Sequence, residues 1–168
     1  MRPYAYQNRP LAIGFGQTCS QPEMVAAMVA ALPPLDGATV LEVGAGSGYM
    51  AAVLRAAGAL AVVALELIPE LAATARRNLN RAGVEGVEVR CQDGRRGAPD
   101  RAPFQAVVIS AACLAVPEPL LGQVAVGGTL LAPVGGPEEQ ELVRLRRQGD
   151  QGWEREGLGP CRFVALRA

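Results

Sequence analysis

The sequence contains no histidine and no lysine, so all 16 of its basic residues are arginines. Mechanisms that need a histidine base or a catalytic lysine are therefore excluded, and so is a metal site with histidine ligands. Aromatic residues are few, with one tryptophan, three tyrosines and three phenylalanines. Since half of the residues are nevertheless hydrophobic, the core must be built mainly from alanine, valine and leucine.

The sequence also lacks an excess of charge of either sign. Its 16 basic residues balance 16 acidic ones, which gives a formal net charge of +0. Because a protein that binds nucleic acid usually shows a basic excess, we expect no nucleic-acid partner. The pairs Arg76-Arg77 and Arg95-Arg96 are interpreted as solvated surface.

Cysteine pairs of the C-x-x-C type are absent as well. The four cysteines, Cys19, Cys91, Cys113 and Cys161, are predicted to be free thiols in a reducing compartment rather than zinc ligands. No apolar run reaches the roughly 18 residues of a membrane-spanning helix, and the first residues show no secretory signal. We therefore expect a cytoplasmic protein with no metal and no membrane partner, folded as a single domain over residues 1–168.

Predicted helices and strands alternate regularly after a segment, residues 1–21, that is predicted to be irregular. The helices are predicted over residues 22–32, about 49–57, 69–82 and near 117–126, and the strands over 39–43, 60–65, 87–91, 104–110, 128–134, 141–147 and 161–166. The strands up to residue 110 are continuously apolar, which is typical of a parallel sheet covered on both faces. The predicted class is α/β: a doubly wound, mostly parallel, Rossmann-like sheet with helices on both faces and antiparallel closing strands.

A glycine-rich loop follows the first predicted strand of this sheet. Its glycines, Gly44, Gly46 and Gly48, have the spacing G-x-G-x-G, with Ser47 between the last two. A dinucleotide-binding fingerprint would place its third glycine at position 49, which is Tyr49, so a nicotinamide cofactor is disfavoured. The alternative is a tight strand-to-helix turn without a ligand.

Carboxylates follow the predicted strands at the same edge of the sheet. Glu66 ends the second strand, where it could accept hydrogen bonds from both hydroxyls of a ribose, or could be a solvated strand end. Asp93 and Gly94 follow the third strand; the Asp93 carboxylate could accept from an adenine amino group while Gly94 lets the backbone approach the ring. With Glu42 nearby, three carboxylates favour a cationic or neutral nucleoside ligand, and a sulfonium compound fits.

The stretch GFGQTCSQPEMV, residues 14–25, concentrates polar groups immediately before a helix. Ser20 lies two residues before Pro22, so its hydroxyl could cap the helix. Thr18 and Ser20 together exceed what a cap requires. The alternative is that this stretch forms one wall of an active site.

These motifs resemble those of a known family. VLEVGAGSGY, the acid Glu66 and Asp93-Gly94 are similar to the S-adenosylmethionine motifs of class I methyltransferases. RPLAIGFGQTCSQPEMVAAM resembles the IGxGQTxSxPxMVA signature of protein-L-isoaspartate O-methyltransferases. APFQAVVISAA, VPEPLLGQVAVGGTLLAPVG and CRFVAL agree with that family too, so the resemblance runs from about Arg2 to Leu166.

The resemblance implies methyl transfer from S-adenosyl-L-methionine to the free carboxyl of L-isoaspartyl residues in damaged proteins or peptides. It implies catalytic roles for Ser20 and Thr18 and a substrate-binding surface formed by Ser20, Val164, Ala165 and Leu166. The cofactor contacts that we expect are Gln17, Cys19, Glu42, Gly44, Gly46, Ser47, Gly48, Glu66, Leu67, Asp93 and Gly94. Such a carboxyl is already ionised at neutral pH, which agrees with the lack of histidine and lysine.

Some features depart from the family pattern. Members usually carry a mostly helical layer before the signature, and this sequence begins almost at the signature. The residues that differ from the usual ones are Glu23, Gln92, Gln105 and Ala165; Glu23 would repel a carboxylate substrate if it faced the cleft. Two alternatives therefore stand beside isoaspartyl repair: a carboxyl methyltransferase of a dedicated peptide or small-molecule substrate, and a catalytically inactive cofactor-binding homologue. A nucleic-acid methyltransferase is disfavoured by the neutral charge and the lack of an N/D-P-P-Y-like motif.

Overall fold

Nine strands and four helices make up the fold in a computed structural model that describes Tyr4 and residues 7–149 and 152–167. The remaining parts of the predicted domain, residues 1–3, 5, 6, 150, 151 and 168, lie outside the described residues. The strands are β1 (Leu11–Gly14), β2 (Gln17–Cys19), β3 (Thr39–Val43), β4 (Ala61–Glu66), β5 (Val87–Cys91), β6 (Phe104–Ile109), β7 (Val124–Gly135), β8 (Gln140–Arg147) and β9 (Trp153–Pro160). The helices are α1 (Pro22–Ala30), α2 (Tyr49–Ala56), α3 (Pro69–Arg81) and α4 (Glu118–Leu121).

A seven-stranded sheet with the order β5-β4-β3-β6-β7-β8-β9 forms the centre of the molecule. The first five strands in this order run parallel to one another. Strand β8 pairs antiparallel with β7, and β9 pairs antiparallel with β8. The predicted doubly wound sheet with antiparallel closing strands is therefore confirmed. The chain moves outward from β3 to β5 and then returns to place β6 on the other side of β3, so the strand order reverses between β3 and β6. In such sheets the carboxyl ends of the strands at the reversal point form the ligand site.

The continuously apolar strands are buried on both faces because successive side chains of a strand point to opposite sides. In β3, Val40 packs in the layer that also contains Met28 of α1 and Leu54 of α2. Its neighbour Leu41 packs in the opposite layer. The helices α1, α2 and α3 cover the first face, and α4 with the loops around residues 98 and 102 covers the second. None of the helices within the described residues is long and apolar enough to span a membrane.

The segment predicted to be irregular contains an antiparallel hairpin, β1–β2, so that part of the prediction is wrong. The turn between the strands consists of Phe15 and Gly16, whose φ angles are 54° and 70°. Two successive positive φ angles are the signature of a type I′ turn, which joins two strands tightly. Sequence patterns miss this turn because asparagine or aspartate, and not phenylalanine, is common at its first position.

Two predicted elements near the end of the chain also differ. The helix predicted near 117–126 is limited to Glu118–Leu121, because β7 begins at Val124 and continues through a bulge that Gly127 allows with a φ of 79°. The last strand is Trp153–Pro160 and not 161–166. Its sequence, WEREGLGP, has no apolar run because it is an edge strand whose acidic and basic side chains pair with those of β8.

Candidate active site

Three adjoining cavities lie where the carboxyl ends of β3, β4 and β6 meet the β1–β2 hairpin. Thr18 and Ser110 line all three. We name each cavity after a side chain in its wall: the Glu66 cavity, the Glu42 cavity and the Ser20 cavity. The sheet therefore brings its polar strand ends and the hairpin of the signature to one place.

The glycine loop is fastened to the end of β4. The backbone N–H groups of Gly44 and Ala45 both donate to the carbonyl oxygen of Leu65, at 2.8 and 2.9 Å. The φ angles of Gly44 and Gly46 are 93° and 53°, which glycine adopts without strain. Both glycines line the Glu66 and Glu42 cavities, as their predicted role in cofactor binding requires.

Glu66 is held rigidly at the edge of its cavity. Only 7% of the residue is exposed, and its two carboxylate oxygens accept hydrogen bonds from the backbone N–H groups of Gly46, at 2.8 Å, and Ile68, at 3.0 Å. A carboxylate offers about four acceptor sites, so acceptors are left for a ligand. Gln17 and Leu67, both predicted cofactor contacts, line the same cavity.

Glu42 is the most unusual group of the site. It is fully buried, and within the described structure neither of its carboxylate oxygens has a hydrogen-bond partner. Burial, and then the nearby charge of Glu66, raise the pKa of the Glu42 carboxyl well above its usual range. Glu42 therefore favours its neutral form in the free protein, and a cation placed beside it would favour ionisation.

Asp93 and Gly94 contribute in different ways. Gly94 lines the Glu66 cavity, and a Cβ atom at this position would lie 2.5 Å from Cγ1 of Val43, so only glycine fits there. The Asp93 carboxylate instead accepts hydrogen bonds from the backbone N–H of Arg95, at 3.0 Å, and from its guanidinium, at 2.7 Å. These bonds lower the pKa of Asp93. The Asp93 carboxylate is thus already bonded to Arg95. The adenine contact predicted for it stays a prediction.

Gly48 lies at the packed junction between two helices. It is not in the walls of the three cavities but precedes α2 with a φ of 84°. A Cβ atom there would lie 3.2 Å from Cγ of Leu79 and 3.3 Å from the carbonyl oxygen of Ala75. The third glycine of the loop therefore lets α2 pack closely against α3. Its assignment as a cofactor contact stays a prediction.

The surroundings of Ser20 bear on its two interpretations, as a helix cap and as part of an active-site wall. The residue that precedes α1 is Gln21, whose side chain forms no capping hydrogen bond, and the first turn of the helix is bonded by the Asn8 side chain and not by Ser20. Ser20 instead lines the Ser20 and Glu42 cavities. Glu23 is exposed, and its backbone N–H donates to Oδ1 of Asn8 at 3.2 Å; it lines none of the three cavities. The polar stretch is thus a wall of the site, and repulsion by Glu23 is not built into it.

Cys19 and Ser47 close the Glu42 cavity. The hydroxyl of Ser47 donates to Sγ of Cys19 at 3.5 Å. Burial raises the pKa of the Cys19 thiol, although the hydrogen bond from Ser47 acts in the opposite direction. A raised pKa disfavours the thiolate, so the thiol is not activated as a nucleophile, and its predicted cofactor contact stays a prediction.

The segment from Arg162 to Leu166 forms another wall of the site. The N–H of Ala112 donates to the carbonyl of Val164 at 2.8 Å, and the N–H of Leu166 donates to the carbonyl of Ala112 at 2.7 Å. Val164 lines the Glu66 and Ser20 cavities, while Ala165 and Leu166 line the Glu66 cavity. All three predicted substrate-binding residues of this segment therefore border the site.

Ser110 was missed by the sequence analysis. It directly follows β6, and its backbone N–H donates to the carbonyl of Val43 at 2.8 Å. Its side-chain oxygen is buried without a hydrogen-bond partner among the described residues. The signal in the sequence was a single hydroxyl at the carboxyl end of the apolar run FQAVVI.

We predict that Glu42→Gln changes how the free energy of unfolding depends on pH. In the wild type, the unfolded chain loses the Glu42 proton near the ordinary pKa of about 4.3, whereas the folded protein retains it to higher pH. The stability contributed by the neutral carboxyl is therefore lost as pH rises through the folded pKa. Chemical denaturation without cofactor should show Glu42→Gln gaining stability relative to the wild type above pH 4.3. Glu70→Gln, at an exposed position of α3, is the control and should follow the wild type. Parallel curves of unfolding free energy against pH for all three proteins would contradict the prediction.

Comparison with known proteins agrees with this geometry. A family model described as protein-L-isoaspartate(D-aspartate) O-methyltransferase matches residues 1–168. The protein-L-isoaspartate O-methyltransferase of Methanospirillum hungatei is 50% identical over 167 residues, covering 98% of this chain and 76% of the relative. That of Methanoculleus marisnigri is 51% identical over 163 residues, covering 96% and 73%.

Solved structures give the same result. A protein-L-isoaspartate O-methyltransferase superposes with a TM-score of 0.90 at 26% identity; the match covers all of this chain and 55% of the other. A Plasmodium falciparum protein solved with S-adenosyl-L-homocysteine has a TM-score of 0.80 at 23% identity, which supports the fold. Since one family model covers every residue and relatives near 50% identity match almost the whole chain, this chain belongs to the protein-L-isoaspartate(D-aspartate) O-methyltransferase family.

Proposed function

We propose that this chain transfers a methyl group from S-adenosyl-L-methionine to the free carboxyl of L-isoaspartyl residues in damaged proteins or peptides. The observation that carries the proposal is the junction of the three cavities at Thr18 and Ser110. Ser20, which directly follows the hairpin of the family signature, lines the Glu42 cavity together with groups that fit the cofactor.

The residues of the site fit the cofactor. Glu66 presents oriented acceptors suited to ribose hydroxyls, and Gly94 permits close approach of a flat ring. Glu42 is a buried acceptor without a protein partner in the described structure, which suits the cationic amino group of the cofactor. Gln17, Leu67 and Ser47 complete the walls.

The chemistry suits the residues that the chain has and lacks. When bound, S-adenosyl-L-methionine supplies a methyl group on a positively charged sulfur, which keeps the bonding pair and becomes a neutral thioether as a substrate carboxylate oxygen bonds to the methyl carbon. An α-carboxyl group has an ordinary pKa of about 3.3–3.7, so it is ionised at neutral pH and needs no general base. The protein contributes orientation, which can lower a barrier by as much as about 7–11 kcal/mol.

Ser20 and the neighbouring hairpin serve this orientation. The Ser20 hydroxyl donates a hydrogen bond to the substrate carboxylate, and the hairpin excludes water from the site. Thr18 lies where the three cavities meet and borders both ligands. Val164–Leu166 lie along the substrate chain, whose own backbone groups can pair with those of this extended segment.

The cytoplasm is the compartment that we propose. All four cysteines are free in the structure, which suits a reducing environment. Proteins and peptides that contain isoaspartyl residues are the proposed partners. A nucleic-acid substrate is disfavoured by the balanced charge.

The direct test supplies labelled S-adenosyl-L-methionine and a synthetic isoaspartyl peptide. The same peptide with a normal aspartyl residue is the control. We expect label in the isoaspartyl peptide alone. Label in both peptides would indicate a broader carboxyl methyltransferase, and label in neither, with cofactor binding intact, would indicate an inactive homologue or a different substrate.

We predict that Ser20→Ala lowers kcat/KM for the isoaspartyl peptide by about 10- to 150-fold, because a hydrogen bond to a charged group contributes about 1.5–3 kcal/mol. The Kd for S-adenosyl-L-homocysteine and the thermal midpoint should stay close to those of the wild type. Thr74→Ala, which deletes a hydroxyl on α3 outside the site, is the matched control and should leave kcat/KM unchanged. An equal loss of cofactor affinity in Ser20→Ala would refute the assignment to substrate.

A further inference from the structure

We propose that Ser110 is a second substrate-binding hydroxyl, which donates a hydrogen bond to the carboxylate that is methylated, alongside Ser20. The inference rests on the proposed function. It adds a residue that the sequence signature does not contain.

The hydroxyl of Ser110 is buried and unpaired. Its oxygen has almost no exposed surface and no hydrogen-bond partner among the described residues. Buried polar groups in proteins are usually paired, because desolvation without a partner is unfavourable. A ligand that enters the site can supply the missing partner.

The position of Ser110 determines what it can reach. It is anchored to β3 by its N–H bond to Val43, and a Cβ atom built on Gly44 would lie 3.6 Å from the Cβ of Ser110. The residue thus borders the glycine loop on one side and the Ser20 cavity on the other. This junction is where the methyl donor and the acceptor must meet.

The Ser20 cavity favours the substrate as the partner of this hydroxyl. Its volume is about 400 Å³, and besides Ser20 and Ser110 it is lined by Arg162. Arg162 supplies positive charge, whereas Glu42 and Glu66 are not in the walls of this cavity. A carboxylate is therefore better accommodated here than beside the two buried glutamates.

Two donors on different elements would fix the carboxylate. Ser20 lies on the segment that follows the hairpin, and Ser110 lies at the end of a strand in the middle of the sheet. A carboxylate accepts several hydrogen bonds, so one lone pair remains for attack while hydroxyls hold the others. Because Ser110 lies on the sheet, its hydroxyl sets how deeply the carboxylate enters the Ser20 cavity.

The test measures binding as well as turnover. The probe is the isoaspartyl peptide, titrated into protein saturated with S-adenosyl-L-homocysteine. For Ser110→Ala we expect the peptide Kd to rise about tenfold, as expected for a lost hydrogen bond to a charged group, with kcat/KM falling by at least as much. The Kd for S-adenosyl-L-homocysteine alone should change less than twofold. Ser110→Thr keeps the hydroxyl and should recover most of the peptide affinity.

Controls separate this role from a structural one. Thr129→Ala deletes a buried hydroxyl in β7, outside the cavity walls, and should leave both dissociation constants unchanged. Ser110→Cys keeps a side chain of similar size with only a weak donor, so it should behave like Ser110→Ala and shows whether packing alone matters. Equal thermal midpoints establish that the variants are folded.

The outcomes distinguish this inference from the proposed function. A rise in the S-adenosyl-L-homocysteine Kd of Ser110→Ala with unchanged peptide binding would assign the hydroxyl to the cofactor and overturn the inference. Wild-type peptide affinity in Ser110→Ala would overturn it as well, while methylation by the wild type would leave the proposed function standing. A wild-type protein that neither binds nor methylates the peptide would overturn both.

Discussion

The buried, unpaired carboxyl of Glu42 is the constraint on which the site depends. Burial of a carboxylate without a partner is costly, so the folded protein holds this group in its neutral form and favours a ligand that brings positive charge. Glu66 escapes the same cost because two backbone N–H groups of the loops after β3 and β4 bind its oxygens. The glycine loop and the strand ends place these two carboxylates together at one edge of the sheet, which favours a cationic cofactor.

The reaction proposed for the site asks for orientation and not for proton transfer. A chain without histidine or lysine can perform it, because the acceptor is already ionised and the donor already activated. Two surfaces supply the orientation. One is the rigid end of the parallel sheet with Gly44, Glu66 and Ser110. The other is the hairpin with Thr18, together with Ser20, which directly follows it. The type I′ turn at Phe15-Gly16 joins the two strands of the hairpin tightly.

The sequence predicted the sheet, and most of the residues that it assigned to the cofactor line the three cavities, because parallel strands bring their carboxyl ends to one edge. The position of Glu66 followed from that rule alone, and the hairpin signature identified Ser20 through family resemblance. The exceptions have physical reasons. Gly48 lets α2 and α3 pack closely, a role that no spacing rule separates from ligand contact, so its cofactor contact stays a prediction. The charged edge strand β9 lacks an apolar pattern. Ser110 is one hydroxyl after an apolar run, and only the three-dimensional structure shows that three cavities converge on it.

The most direct test of the role of Glu42 is a ¹³C NMR titration of its carboxyl carbon, in the free protein and with S-adenosyl-L-homocysteine bound. We expect the pKa of Glu42 to lie well above the ordinary glutamate range in the free protein. We expect a lower pKa in the complex, since the ammonium group of the ligand would stabilise the carboxylate. An ordinary pKa in the free protein, or a pKa that the ligand leaves unchanged, would contradict the claim that this buried carboxyl governs the choice of cofactor.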